Sequence, residues 1–228
     1  MAKKKANKIS IDSYNPEDTY YFTDEVICGL DLSLNKTGVM VLNAKGDIIH
    51  QECIDIDEAN KVIKENWKIE NKDKLKSKEY TVKNDYNHDL KSMPRLSFIK
   101  ERILEILKEF KVTKIAIEGY SFSSRGRSVF DLGELGGAIR LALFENNYSY
   151  VDVSPSSVKA FIIIGNADKE QMRLGIISKY GHNFENDNIA DAFALARFLL
   201  CFGDAAGDFS GKGGAAAIKK LRETYEIK

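Results

Sequence analysis

The stretch VICGLDLSLNKTGVMVLNAKGDIIHQECID, residues 26–55, reads as three strands in succession. Val26, Ile27, Leu30, Leu32 and Leu34 mark a buried first strand, TGVMVLN a second and DIIHQECID a third. NKTG and NAKG supply the Asn and Gly that turns need, so the three strands form an antiparallel meander. The first strand holds one acid, Asp31, in an apolar run with no basic residue beside it. A buried carboxylate is costly unless its charge is compensated.

Beyond the meander comes ANKVIKENWKIENKDKLKSKEYTVKND, rich in Lys and poor in aliphatics. It reads as an exposed insertion over about residues 58–85, a solvated loop and helix, with DNA contact as the alternative. In MPRLSFIKERILEILKEF the positions Leu96, Ile99, Ile103, Leu104, Ile106 and Leu107 repeat with helical spacing. KVTKIAIEGY predicts a short buried strand ending at Glu118, VFDLGELGGAIRLALFENN a helix and SYVDVS a fifth strand. PSSVKAFIII and ADKEQMRLGIISKYG predict two helices, the first opened by Pro155, and NDNIADAFALARFLLCF a last apolar one. The order βββαβαβααα predicts an α/β fold: a mixed sheet of five strands, an antiparallel meander followed by parallel strands, with helices on both faces.

A chain of 228 residues suits one domain with appendages or two small ones. Polar residues 1–24 and Gly/Ala-rich residues 204–228 read as tails flanking a domain over 25–203. No apolar run approaches the ~20 residues that span a bilayer, and the basic start MAKKKANKIS lacks the apolar core of a signal peptide. The three cysteines are isolated, which suggests neither a disulfide framework nor a zinc site and points to a reducing cytoplasm. The formal net charge is zero, so a nucleic-acid protein of this composition must gather its positive charge on one face.

Four acids stand out. In the expected strand order the first and fourth strands are neighbours, which brings Asp31 and Glu118 to one edge. Asp187 and Asp191 lie at i and i+4 of the last helix, hence on one face. Packed carboxylates repel and raise each other's pKa, and a divalent cation relieves this; all-oxygen ligands select Mg²⁺ or Mn²⁺. Each acid also has a plainer role open to it. Asp31 can bond turn amides, Glu118 can pair with Lys114 or an arginine, Asp187 can cap its helix, and Asp191 can favour the helix dipole.

The segments GLDLSLNKTG, IAIEGYSFSSRGR, SPSSVKAF, GNADKEQ and NDNIADAFALA together resemble the RuvC-type Holliday junction resolvases over residues 26–202, with a closer likeness to phage-encoded members. The resemblance implies a ribonuclease H-like fold, a homodimer, and divalent-metal-dependent nicking of branched DNA such as four-way junctions, forks and flaps. It implies Mg²⁺ or Mn²⁺, two per active site, with Asp31, Glu118 and Asp191 as metal-binding catalytic acids. Family members usually carry a second acid or a His three residues before the last Asp. That position here is Asn188, with Asp187 one residue earlier. Asp187 is the expected fourth ligand on grounds of charge, Asn188 the alternative.

Lys159 and Lys169 match basic residues that contact the scissile region in the family, with a spacing one residue shorter. After Glu118, Arg125 and Arg127 are suited to gripping phosphates, and Tyr120 and Phe122 to stacking on opened bases. Gly133, Gly136 and Gly137 weaken a helix. Close approach of another backbone justifies them, either across a dimer two-fold, as in the family, or against the chain's own sheet. His50, His88 and His182 have no metal-ligand spacing and read as structural. Three further readings are a general branched-DNA or flap nuclease, a non-catalytic junction-binding protein, and an actin-like nucleotide-binding domain. The last of these needs two such domains.

Overall fold

The computed structural model describes residues 25–70, 72, 93–120, 128–203, 216 and 219. Its elements are β1 (Val26–Asp31), β2 (Lys36–Asn43), β3 (Ile48–Asp55), α1 (Ile56–Glu70), α2 (Met93–Glu109), β4 (Lys114–Glu118), α3 (Ser128–Glu145), β5 (Tyr150–Val153), α4 (Pro155–Ile162), α5 (Lys169–Tyr180) and α6 (Asp187–Gly203). The two tails, apart from residues 216 and 219, and most of the Lys-rich insertion past residue 70 lie outside the described residues.

The sheet has the order β3-β2-β1-β4-β5. β1 pairs antiparallel with β2 and parallel with β4, and β4 pairs parallel with β5. The central strands are buried on both faces, which is why they read as unbroken apolar runs. Ile27, Met40, Leu42 and Ala116 point to one face, where Phe161, Met172, Phe193 and Phe198 of α4, α5 and α6 cover them. Cys28, Leu30, Val39, Val41, Ile115 and Ile117 point to the other, under Ile99, Ile103 and Leu107 of α2 and Leu135, Ile139 and Leu143 of α3. Arg102 of α2 grips Glu52 of the edge strand β3 bidentately, with N–H···O distances of 2.8 and 2.7 Å.

Two details refine the sequence reading. The first strand ends at Asp31, and Leu32 to Asn35 make the connection. The fully buried Thr37 hydroxyl ties this connection shut, donating to the Ser33 carbonyl at 2.6 Å and accepting from the Ser33 N–H at 3.1 Å. Of the two places open to Gly38 in the sequence, the strand TGVMVLN and the turn NKTG, the structure takes the strand, directly across from Asp31. A Cβ at Gly38 would stand 2.0 Å from the Asn188 carbonyl oxygen, and one at Gly29 only 2.1 Å from that of Ala192. Both glycines let the backbone of α6 sit down on the sheet.

Gly38→Ala should therefore lower unfolding free energy by at least ~2 kcal/mol, since the obstacle is backbone that cannot step aside. Denaturant titration of the variant against wild type measures this, and an unchanged midpoint would show that α6 is seated by other contacts.

Candidate active site

Asp31 closes β1 and Glu118 closes β4, at the C-terminal ends of adjacent parallel strands, where open α/β sheets place their ligands. Leu30 is in register with Ile117, so the two acids follow in step. Asp31 is only 8% exposed, and Glu118 is half-buried. Their carboxyl groups are hydrogen-bonded to each other.

The third acid arrives from above. Asn186 caps α6, its side-chain oxygen accepting the Asn188 N–H at 2.9 Å while its carbonyl accepts the Ala190 N–H at 3.1 Å. The cap is therefore Asn186, and Asp187 is left free for another partner. With Asn188 seated over Gly38, the half-buried Asp191 comes within the field of Asp31 and Glu118. Asp187 stays at the exposed rim, where it accepts Lys169 Nζ at 3.0 Å and acts electrostatically on Asp191. Asn188 rests its Cβ against the backbone of β2.

Burial pushes the Asp31 carboxyl up to about 8, helped by the negative charges of Glu118 and Asp191. Burial also raises Glu118, with Asp191 adding to it, and raises Asp191 against the pull of Lys169. A proton on Asp31, donated to Glu118, thus tempers the crowding at neutral pH. Among the described residues no three His, Cys, Asp or Glu side chains close around one ion position. The donor chemistry of Asp31, Glu118 and Asp191 nonetheless fits a hard divalent cation: carboxylate oxygens only, and buried charge in excess of its compensation.

Two lysines flank the acids. Lys159 is on α4, whose N-terminus is set by Ser154, which accepts the Ser157 N–H, and by Pro155 in the first turn. It offsets the charge of both Glu118 and Asp191. Lys169 opens α5, anchored by a reciprocal capping box between Asp168 and Gln171. Glu118 does not pair with Lys114, which bonds Glu25 instead. Tyr120 is 49% exposed, two residues beyond Glu118. Phe122, Arg125 and Arg127 lie outside the described residues.

The histidines behave as structural groups where they are described. His50 stacks on Phe110, and His182 stacks on Phe184 and meets Phe193 edge-on. His88 is outside the described residues. A surface concavity lined by Ile48, Gln51, His182 and Phe184 lies along β3 and contains none of the acids. The sequence reading missed the seating role of Gly29 and Gly38 and the cap Asn186. Glycines inside apolar strands, opposite an Ala-rich helix, were the available signal.

A five-stranded mixed sheet of this order, covered on both faces and with acids gathered at the ends of its two central parallel strands, defines a ribonuclease H-like domain. The family model "Crossover junction endodeoxyribonuclease RuvC" matches residues 69–198, more than half of the chain. The chain belongs to the RuvC family. Curated relatives of that name are 37% identical over 103 residues in Brachyspira hyodysenteriae and 32% identical over 110 residues in Caldicellulosiruptor saccharolyticus. These matches cover 45% and 47% of this chain and 64% and 66% of the relatives, slightly under two thirds of their length. The Thermus thermophilus RuvC structure shares the fold, with a TM-score of 0.53 at 21% identity over 75% of this chain and 90% of that one. The same protein in complex with Holliday junction substrate matches with a TM-score of 0.53 at 20% identity over the same shares. The family model's match begins after β1, so Asp31 enters the site through the fold rather than through the matched segment.

Without divalent metal the site should penalise alkaline pH. The folded-state pKa of Asp31 lies above its ordinary value, so the ionised form is disfavoured by folding; stability is full at low pH and falls as pH rises through about 8. Glu118 and Asp191 shift in the same direction. In EDTA the melting temperature should therefore drop between about pH 5 and about pH 9. Asp31→Asn should flatten that slope and raise the melting temperature at its alkaline end. A variant as pH-sensitive as wild type would show that the acids do not crowd.

Proposed function

We propose that this protein is a structure-selective endodeoxyribonuclease that resolves Holliday junctions and related branched DNA by metal-dependent phosphodiester hydrolysis. The observation that supports the reading is that Asp31 and Glu118 are hydrogen-bonded and both feel the charge of Asp191, from three separate elements, in a member of this family. Asp31, Glu118 and Asp191 would hold Mg²⁺ or Mn²⁺, two per active site, with Asp187 or Asn188 completing the set. Bound there, such ions supply Lewis-acid activation of water and stabilisation of the departing oxygen. The protein's own part is to fix the acids on strand ends and one helix turn, and to keep cations close beside them. Lys159 and Lys169 suit the incoming phosphates, which the acids alone would repel. Release of Lys169 from Asp187 would free both for DNA and metal. Tyr120, with Phe122, Arg125 and Arg127 after it, forms the DNA-contacting side of the proposal. Action inside a cell, in a bacterial host if the chain is of phage origin, belongs to the same reading. Among the described residues no helix is long and apolar enough to cross a membrane.

A homodimer is supported by α3. Phe130 and Phe144 are 75% and 76% exposed, and Leu141 is exposed between them. Among the described residues, Gly133 and Gly137 have nothing within 4 Å of an added Cβ, so the described sheet does not require them. These five positions recur at helical spacing along one face, an apolar stripe that a second copy would cover. Gly136 is different: its neighbours are Tyr120 and Arg140 of the same chain.

Labelled four-way, three-way, flap and linear DNA, each offered with Mg²⁺ or Mn²⁺, should show paired symmetric nicks on the four-way junction. Broad flap cleavage would replace the resolvase by a general branch nuclease, and binding without cleavage would leave a junction-binding protein. Asp31→Asn, Glu118→Gln and Asp191→Asn should each cut nicking by roughly 1,000-fold or more while junction binding persists. Sedimentation should show Phe144→Glu as a monomer where wild type is a dimer, and a monomeric wild type would remove the symmetric-nick mechanism.

A further inference from the structure

Arg140 is a lone cation in the apolar run AIRLALF, and its side chain is only 15% exposed. All three of its guanidinium nitrogens are nevertheless engaged. Nε and Nη2 donate to Asp152 Oδ1 at 3.1 and 2.5 Å, while Nη1 donates to the Gly136 carbonyl at 3.0 Å and to the Tyr120 hydroxyl at 3.2 Å. The guanidinium carbon also lies over the Tyr120 ring, 4.8 Å from its centroid. The Tyr120 hydroxyl reaches the Gly133 carbonyl at 3.4 Å. An added Cβ at Gly136 would stand 2.2 Å from that hydroxyl and 2.6 Å from Arg140 Nη1, so the glycine is the seat in which both groups rest.

The cluster joins three elements at one end of the site. Asp152 is the β5 partner of Ile117, the residue before Glu118, and the Gly119 N–H donates to the Val153 carbonyl at 2.8 Å, carrying the ladder one residue past the acid. Tyr120 is thus the first residue beyond the β4–β5 ladder, and Arg140 holds its side chain across the gap to α3. An ion pair with one half-exposed partner is weak evidence of a stabilising role. What an apolar residue at position 140 would lose is the orientation of Tyr120, whose remaining surface stays half exposed.

We infer that Arg140, tied to Asp152 and seated by Gly136, is a positioning residue that fixes the Tyr120 ring beside Glu118 as a preformed platform for a nucleobase at the branch point. The inference rests on the branched-DNA reading above. Preorganisation saves the ordering of an aromatic side chain on binding, and a base stacked on such a ring is held without regard to its identity.

The test uses the full-length protein and a four-way junction carrying 2-aminopurine beside the branch point, bound in Ca²⁺ so that binding is read apart from cleavage. Wild type should change the 2-aminopurine fluorescence. Tyr120→Leu should abolish the change and weaken binding roughly tenfold. Arg140→Leu should do the same, and the double variant should be no worse than either single one. Tyr120→Phe, which keeps the ring, should lose less than Tyr120→Leu. Gly136→Ala should lose the signal although Ala is the better helix former, which separates positioning from stability as thermal melts read it. In the nicking assay the loss should fall on KM more than on kcat. Additive effects in the double variant, or an unaltered signal in Arg140→Leu, would overturn the inference. If wild type gives a Tyr120-dependent signal yet fails to nick in Mg²⁺ or Mn²⁺, the platform stands and the nuclease reading falls. If wild type nicks and every variant matches it, the nuclease stands and the platform falls.

Discussion

Helix α6 lies closer to the sheet than any side chain would allow, and the site depends on that approach. Gly29 and Gly38 remove the two Cβ atoms that would hold the helix off, and the carbonyls of Ala192 and Asn188 occupy the space. Because Gly38 is the cross-strand partner of Asp31, the contact that seats the helix is also the one that brings its first turn over the acid. The small residues Ala192 and Ala196 serve the same end from the helix side.

Bringing acids together in this way works against the fold, and the protein counters it locally. Asp31 is hydrogen-bonded to Glu118, Lys159 offsets Glu118 and Asp191 from α4, and Lys169 engages Asp187 from α5. Both lysine-bearing helices start at well-defined caps, Ser154 and Asp168, so the compensating charges are delivered by rigid turns rather than by loops. Asp31 and Glu118 sit at the C-terminal ends of strands and Asp191 in α6, while Lys159 comes from the last turn of α4 and Lys169 from the first position of α5.

Much of this was legible in the sequence, and the exceptions share a cause. The three-strand meander, the helix–strand alternation and the adjacency of β1 and β4 followed from apolar periodicity and from the rule that helix-linked strands run parallel. Asp31 was visible as an acid in a strand without a partner, and Asp187 and Asp191 as a pair on one helical face. Gly38 falls in both the NKTG turn pattern and the strand TGVMVLN; the hydroxyl of Thr37 closes the connection, which leaves Gly38 inside β2, and nothing local marks it or Gly29 as a seat for a helix. Gly136 meets the side chains of Tyr120 and Arg140 rather than the second backbone that a glycine in a helix suggests. What Gly29 and Gly38 accommodate, the carbonyls of Ala192 and Asn188, lies far away in sequence on α6, where no local pattern can reveal it. The cap Asn186 was nearer at hand, but Asn and Asp at adjacent positions compete for the same role, and only geometry chose between them.

The chain-wide spread of the acids has a further consequence for how such a protein comes into being. Asp31 is made early and Asp191 late, and α6 finds its place only on strands laid down long before it. A nascent chain that has not yet released α6 carries the first acid without the last, and its two seating glycines remain uncovered. The acidic cluster is therefore assembled in one step, when the final helix docks, and a truncated or half-made copy has Asp31 and Glu118 without Asp191 beside them.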